Sequence, residues 1–176
     1  MTGPLDGRTV VITGANPASA ASPRASCTGA APTWSWWAAT RSARAASPPS
    51  LGARHVLADM DRLDDVRRLA ATLLDTCPRI HVLALNAGSL VPRRTMTVDG
   101  HETTLQRNVL APFLLTRLLL PRLEETQRGL GTDESPVRVI GTASRANLWG
   151  RVRLDDLDWR KRPWLGAGRP TARRRP

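Results

Sequence analysis

Four short apolar runs, each closing on small or polar residues, constrain this chain more than any other feature. Arg8-Thr-Val-Val-Ile-Thr13 ends at Gly14, and His55-Val-Leu-Ala58 ends at Asp59. Ile80-His-Val-Leu-Ala-Leu85 ends at Asn86-Ala87-Gly88, and Val137-Arg-Val-Ile140 leads into Thr142-Ala143-Ser144. Runs rich in Val, Ile and Leu, without strict polar alternation, fit strands buried on both faces. Between the second and third runs, Val66, Leu69, Ala70, Leu73 and Leu74 recur at helical spacing over Leu63 to Thr76. Asp64 and Asp65 fall in the first turn of that helix, where its dipole favours acids. Gly100 to Glu125 is a second, longer helical stretch, in which Pro112 is expected to kink or break the helix. Its Leu114, Leu115, Leu118 and Leu119 are expected to face the core or a partner helix. Strands alternating with helices imply βαβ units, so parallel strands are predicted at 8–13, 54–58, 80–85 and 137–141.

Two stretches interrupt this pattern. Residues 17–50 are rich in Ala, Ser, Pro and Arg around an isolated Trp34-Ser35-Trp36-Trp37 cluster, and Pro23, Pro32, Pro48 and Pro49 exclude a long helix there. Residues 166–176 contain only Gly, Ala, Arg, Pro and Thr and have nothing to pack, which predicts a disordered basic tail. The expected organisation is therefore one domain over 1–165, with an aberrant segment at 17–50, followed by that tail. The net charge of +11 sits largely in these two stretches. Residues 51–165 hold 18 Lys and Arg against 14 Asp and Glu, a near balance that argues against a nucleic-acid partner. Cys27 and Cys77 with three scattered histidines match no metal-ligand spacing, so no metal is expected. Asp155 and Asp156 are expected to form a solvated turn. Met1 to Gly7 carries no basic apolar leader, and Arg117 interrupts the apolar stretch Phe113 to Leu120. The sequence thus predicts no signal peptide, no membrane span and, by default, a cytoplasmic protein.

Taken in order, the closing residues resemble one family. Thr13-Gly14-Ala15-Asn16 is similar to the opening of the short-chain dehydrogenase glycine motif. Asp59, with Met60 beside it, resembles that family's adenine-contacting acid, and Asn86-Ala87-Gly88 its Asn-Asn-Ala-Gly motif. Asn108 resembles the active-site asparagine, and Ser144 the catalytic serine. Thr97-Val-Asp-Gly-His-Glu102, Phe113 to Leu123 and Asp155-Asp156-Leu157 are similar to the retinol-dehydrogenase-like branch. Single motifs of this length occur by chance, but together in the family's order, each at the element end where ligands bind in such sheets, they do not.

The resemblance implies a Rossmann-type doubly wound parallel α/β sheet that binds NAD or NADP and interconverts a small apolar alcohol and its carbonyl. Its cofactor-binding residues would be Thr13, Gly14, Asn16, Asp59, Met60, Asn86, Ala87 and Gly88. Pyrophosphate would lie near the N-terminus of the first helix, whose unpaired N–H groups favour an anion. Ser144 would hold the substrate oxygen, a tyrosine would exchange a proton with it, and Asn108 would support a proton-relay water. The resemblance also implies that intact relatives can form homo-oligomers.

The chain also departs from the family. Pro17, Ala18, Ser19 and Ala20 stand where two further glycines belong, and the second strand and the last strands are unrecognisable. The family's Tyr-x-x-x-Lys is missing, because the sequence contains no tyrosine, and its one lysine, Lys161, precedes the place for that motif. A truncated, inactive and incomplete member is the expectation. A shifted reading frame accounts for both odd stretches. Tryptophan has a single codon, so with Ser35 encoded by TCN the shifted frame across Thr33 to Ala38 reads as alternating apolar residues and valines closing on glycine, which is a strand and its turn. The same shift at Pro170–Thr171 permits tyrosine, and at Arg174–Arg175 lysine four codons later. The alternative is a non-catalytic remnant or interaction module that keeps part of the nucleotide-binding fold, with the tryptophans as a partner surface.

Overall fold

The computed structural model describes residues 7–14, 56–144 and 151–164. Three strands form one parallel sheet in the order β1 (Val10–Ile12), β2 (Val82–Leu85) and β3 (Arg138–Gly141). Val11 pairs with Leu83, and Leu83 with Val139. Parallel neighbours need a long crossover between them, and helices supply it. Helix α1 (Leu63–Thr76) enters β2, and a longer helical rod enters β3. The fold is therefore the parallel α/β sheet of the Rossmann type, incomplete over the described residues.

The apolar stripes explain the packing. Val66, Leu69, Ala70 and Leu73 of α1 bury against Ala111, Leu115, Leu119 and Leu123, and both rows meet Val11 and Leu83 of the sheet in one core. Leu114 and Leu118 flank that core, half-buried, as their spacing predicts.

Several expectations need correction. Residues 56–58 of the predicted strand 54–58 are not in a strand, because no described strand lies beside them to share a ladder. The long helical stretch begins at α2 (Thr103–Leu105), after Glu102, whose carboxylate accepts the amides of Thr104 and Leu105 at 2.9 and 2.8 Å. A π turn follows over Gln106–Leu110, and α3 runs over Ala111–Arg128. Pro112 stands at the first turn of α3, where a missing N–H costs little, and the interruption falls just before it as a widened turn. Pro121 is carried inside α3.

Asp155 is exposed, but Asp156 is not solvated. The Asp156 carboxylate is buried and accepts the amides of Arg160 and Lys161 and the Arg162 guanidinium, at 2.7, 3.2 and 3.0 Å. Arg162 also covers the Trp159 ring at 3.9 Å, and Trp159, at φ 54°, meets Trp164 edge to face. A turn centred on a carboxylate satisfies three donors at once, which explains how the segment holds a backbone angle that L residues rarely adopt. Among the described residues, no helix is long and apolar enough to cross a membrane, and no three His, Cys, Asp or Glu residues cluster to hold a metal. Asn16 and the segments 17–50 and 166–176 lie outside the described residues.

Candidate functional site

Because the strands are parallel, the residues that close them arrive at one edge of the sheet. At the end of β1, Thr13 is buried and its amide donates to the Ala84 carbonyl at 2.9 Å, extending the ladder by one residue. Its hydroxyl oxygen accepts the amides of Asn86 and Ala87, both at 3.0 Å. A threonine side chain thus fastens the turn after β2 to the end of β1. Gly14 follows at φ 70°, and a Cβ there would lie 2.5 Å from the Ala87 Cα. Only glycine permits both that angle and that approach of two backbones.

The turn after β2 is held from two further sides. The Asn86 carboxamide oxygen accepts the Thr142 hydroxyl at 3.2 Å, and the Thr142 amide donates to the Leu85 carbonyl at 3.0 Å, which ties in the end of β3. From the π turn, Asn108 grips Ser89 on both backbone groups. Its Oδ1 accepts the Ser89 amide at 3.0 Å, and its Nδ2 donates to the Ser89 carbonyl at 2.9 Å. Gly88 is required beneath that grip, because a Cβ at 88 would stand 2.8 Å from the Asn108 Oδ1. Ser144 is exposed past the end of β3, the strand that neighbours β2 in the sheet.

The loop from Ala58 to Arg62 adjoins this network. Asp59 is half-buried; its amide donates to Asp65 at 3.2 Å, and its Oδ1 accepts the Asp61 amide at 3.0 Å. The Met60 side chain lies in the core, and its carbonyl accepts the Gln106 carboxamide at 3.4 Å. Gln106 is itself buried, donating to Asp99 at 2.8 Å and accepting the Thr97 hydroxyl at 2.6 Å.

Of the residues singled out in the sequence, Thr13, Gly14, Asn86, Ala87, Gly88 and Asn108 thus join one hydrogen-bonded or packed network. Asp59 stands on an adjoining loop and Ser144 past the third strand. Three residues escaped the sequence reading. Arg107 donates to the Asp61 carboxylate through Nε at 2.9 Å and again through a second nitrogen, and it also reaches the Ser89 hydroxyl. Asp61 and Ser89 belong to no motif, and Arg107 stands beside Asn108 with no role of its own assigned. The only signal was an acid two residues past Asp59 and a base beside Asn108. Its hydrogen bonds to the Asp61 carboxylate hold the Arg107 pKa above its ordinary value, against the effect of burial.

Comparison with known proteins gives this edge a context. The model of the family described as short chain dehydrogenase matches residues 27–146. A candidate daunorubicin C-13 ketoreductase of Streptomyces sp. (strain C5) is 46% identical over 101 residues, covering 57% of this chain and 31% of that protein. Retinol dehydrogenase 12 of Mus musculus is 36% identical over 104 residues, covering 59% of this chain and 30% of that protein. A solved Pseudomonas aeruginosa RhlG/NADP complex superposes with a TM-score of 0.59 at 23% identity, over 86% of this chain and 61% of that one. The matched stretch spans about a third of the length of these curated relatives.

Proposed function

Since the chain belongs to the short chain dehydrogenase family, we propose that it is built as an oxidoreductase of alcohols and carbonyls that uses NAD or NADP. The observation that carries this reading is the convergence of Thr13-Gly14, Asn86-Ala87-Gly88 and Asn108 at the carboxyl ends of parallel strands, where such sheets bind ligands. The Asp59 loop suits the adenine half of a dinucleotide. A carboxylate stands on that loop, and glycines at 14 and 88 let the end of β1 and the Asn108 side chain pack closely on the turn after β2. When bound, the nicotinamide group would carry the hydride.

The chain's own residues divide the remaining work. Asp59 accepts a hydrogen bond from the adenine amino group. Thr13 and Asn108 act by position, the first through Asn86 and Ala87 and the second through Ser89, since both side chains are already committed to backbone groups. Ser144 holds the substrate oxygen. No tyrosine occurs in the sequence, so no phenol supplies the proton that must accompany hydride transfer. Similarity to retinol dehydrogenase 12 supports an apolar substrate. The test is titration of the 176-residue polypeptide with NADH and NADPH by fluorescence, followed by a hydride-transfer assay on aliphatic alcohols and aldehydes. Saturable nucleotide binding with negligible turnover is expected. Failure to bind either dinucleotide sinks the reading, and measurable turnover sinks the role given to the missing tyrosine.

A second reading is favoured by that missing tyrosine: a non-catalytic relative that keeps part of the nucleotide-binding fold. Resequencing the gene across codons 15–52 and from 164 onward separates the two. An inserted or deleted base restores a catalytic frame, whereas a confirmed sequence favours the non-catalytic relative.

A further inference from the structure

We propose that Arg107 is a positioning residue that clamps the Asp59–Asp61 loop to the Asn86–Ser89 turn, and so fixes the two walls that hold the adenine end of the nucleotide. The inference rests on the nucleotide-binding reading above for its purpose, but its geometry is independent of that reading. The guanidinium is a planar fork with five donors. Two of its nitrogens meet the two oxygens of Asp61, and a third meets the Ser89 hydroxyl, so one rigid group spans both loops. Neither ionic partner is fully solvated: the Arg107 and Asp61 side chains keep 21% and 27% of their exposure, which spares the pair much of the screening that weakens surface bridges.

What the clamp holds is specific. The Asp61 amide donates to the Asp59 carboxylate at 3.0 Å, so fixing Asp61 orients the acid that would face adenine. On the other side, Ser89 is the residue whose amide and carbonyl Asn108 already grips. Arg107 and Asn108 are consecutive, and consecutive residues of an α-helix point in different directions. They reach the same serine from the π turn Gln106–Leu110, whose wider winding reduces the angle between neighbours. The π turn is therefore the device that lets one helix deliver two neighbouring side chains to one loop.

The test uses the full 176-residue chain and three variants, Arg107→Ala, Arg107→Lys and Asp61→Asn, with two readouts. Hydrogen exchange of the unliganded proteins follows residues 59–63 and 87–90, with the β2 amides as the control for folding. AMP and NADH titrations report binding. Arg107→Ala is expected to speed exchange in both segments together while β2 stays protected, and to weaken AMP binding about tenfold. Asp61→Asn should loosen the 59–63 segment more than 87–90, and Arg107→Lys, which keeps the charge but loses the fork, should fall between wild type and Arg107→Ala. Faster exchange in one segment alone, or in neither, overturns the clamp. Coupled exchange with unchanged AMP affinity overturns its role in binding. If the wild-type protein binds no nucleotide, the functional reading fails and takes that role with it, while coupled exchange still upholds the clamp.

Discussion

At Gly14 the backbone turns through φ 70° against Ala87, and the two constraints there are separable by mutation. Gly14→Ala meets both the unfavourable angle and a Cβ placed 2.5 Å from a backbone carbon, which cannot swing away. Gly88→Ala meets only the Asn108 carboxamide oxygen at 2.8 Å, the end of a side chain that can move. Gly14→Ala should therefore destabilise the protein by about 1–3 kcal/mol, and Gly88→Ala by less, in urea unfolding. Equal losses would contradict this account. Gly88→Ala should instead release the Asn108 grip on Ser89, seen as faster exchange of the Ser89 amide. The motif Thr13-Gly14 was legible in the sequence, but its physical reason was not. The close approach belongs to Ala87, more than seventy residues away, and no local pattern carries that distance. Arg107 and Asp61 were hidden for the same reason.

At the scale of elements, the helices were the most readable part, because burial against a sheet leaves a stripe in the sequence. Leu115 and Leu119 of α3 are fully buried on the side facing α1, while Phe113 is 66% exposed. Leu119→Ala should cost about 2–5 kcal/mol through the cavity it opens, whereas Phe113→Ser should stay within about 0.5 kcal/mol. Thermal unfolding of both variants tests the assignment, and a Phe113→Ser loss as large as that of Leu119→Ala would mean that Phe113 is covered in solution. Strands proved less legible. The run at 55–58 has the composition of a strand, yet pairing is a property of two segments, and residues 56–58 share no ladder with any described strand. The π turn left no trace in the apolar periodicity, since one extra residue in a turn shifts the stripe by less than the breadth of the stripe itself. Asp156 was misread because its partners, two amides and a guanidinium, follow it in sequence and carry no pattern of their own.

Over the whole molecule, stability should depend on pH in two separate windows, because a histidine and two carboxylates are held out of their ordinary ranges in opposite senses of charge. His81 opens the approach to β2: its amide donates to the Thr9 carbonyl, and its Nδ1 accepts the Thr9 amide, both at 2.9 Å. An Nδ1 that accepts cannot carry a proton, so this link between β1 and β2 exists only with a neutral ring. Burial lowers the His81 pKa, and Arg8 and Arg79 lower it further against the opposing charge of Glu134. In the pH range between this lowered value and the ordinary value of about 6.5, the unfolded chain binds more protons than the folded one. The contribution of His81 is then whole above about pH 6.5 and declines as pH falls toward the lowered folded value. The carboxylates act lower on the scale. Burial opposes the Asp156 charge, but the amides of Arg160 and Lys161 and the Arg162 guanidinium outweigh it and hold the pKa below the ordinary value. The Glu102 amide, against a burial penalty and with help from His101 and Arg160, does the same for Asp158. Their contribution persists until pH drops below about 3.9. Urea midpoints measured from pH 8 to pH 3 should therefore begin to fall below about pH 6.5, and fall again below about pH 3.9. His81→Asn offers a carboxamide oxygen to the Thr9 amide with no group to titrate. It should flatten the upper decline and leave the lower one in place, because the Asp156 turn lies in another part of the chain. An unchanged upper decline in His81→Asn would assign that loss to other groups and remove His81 as the acid-sensitive link between the first two strands.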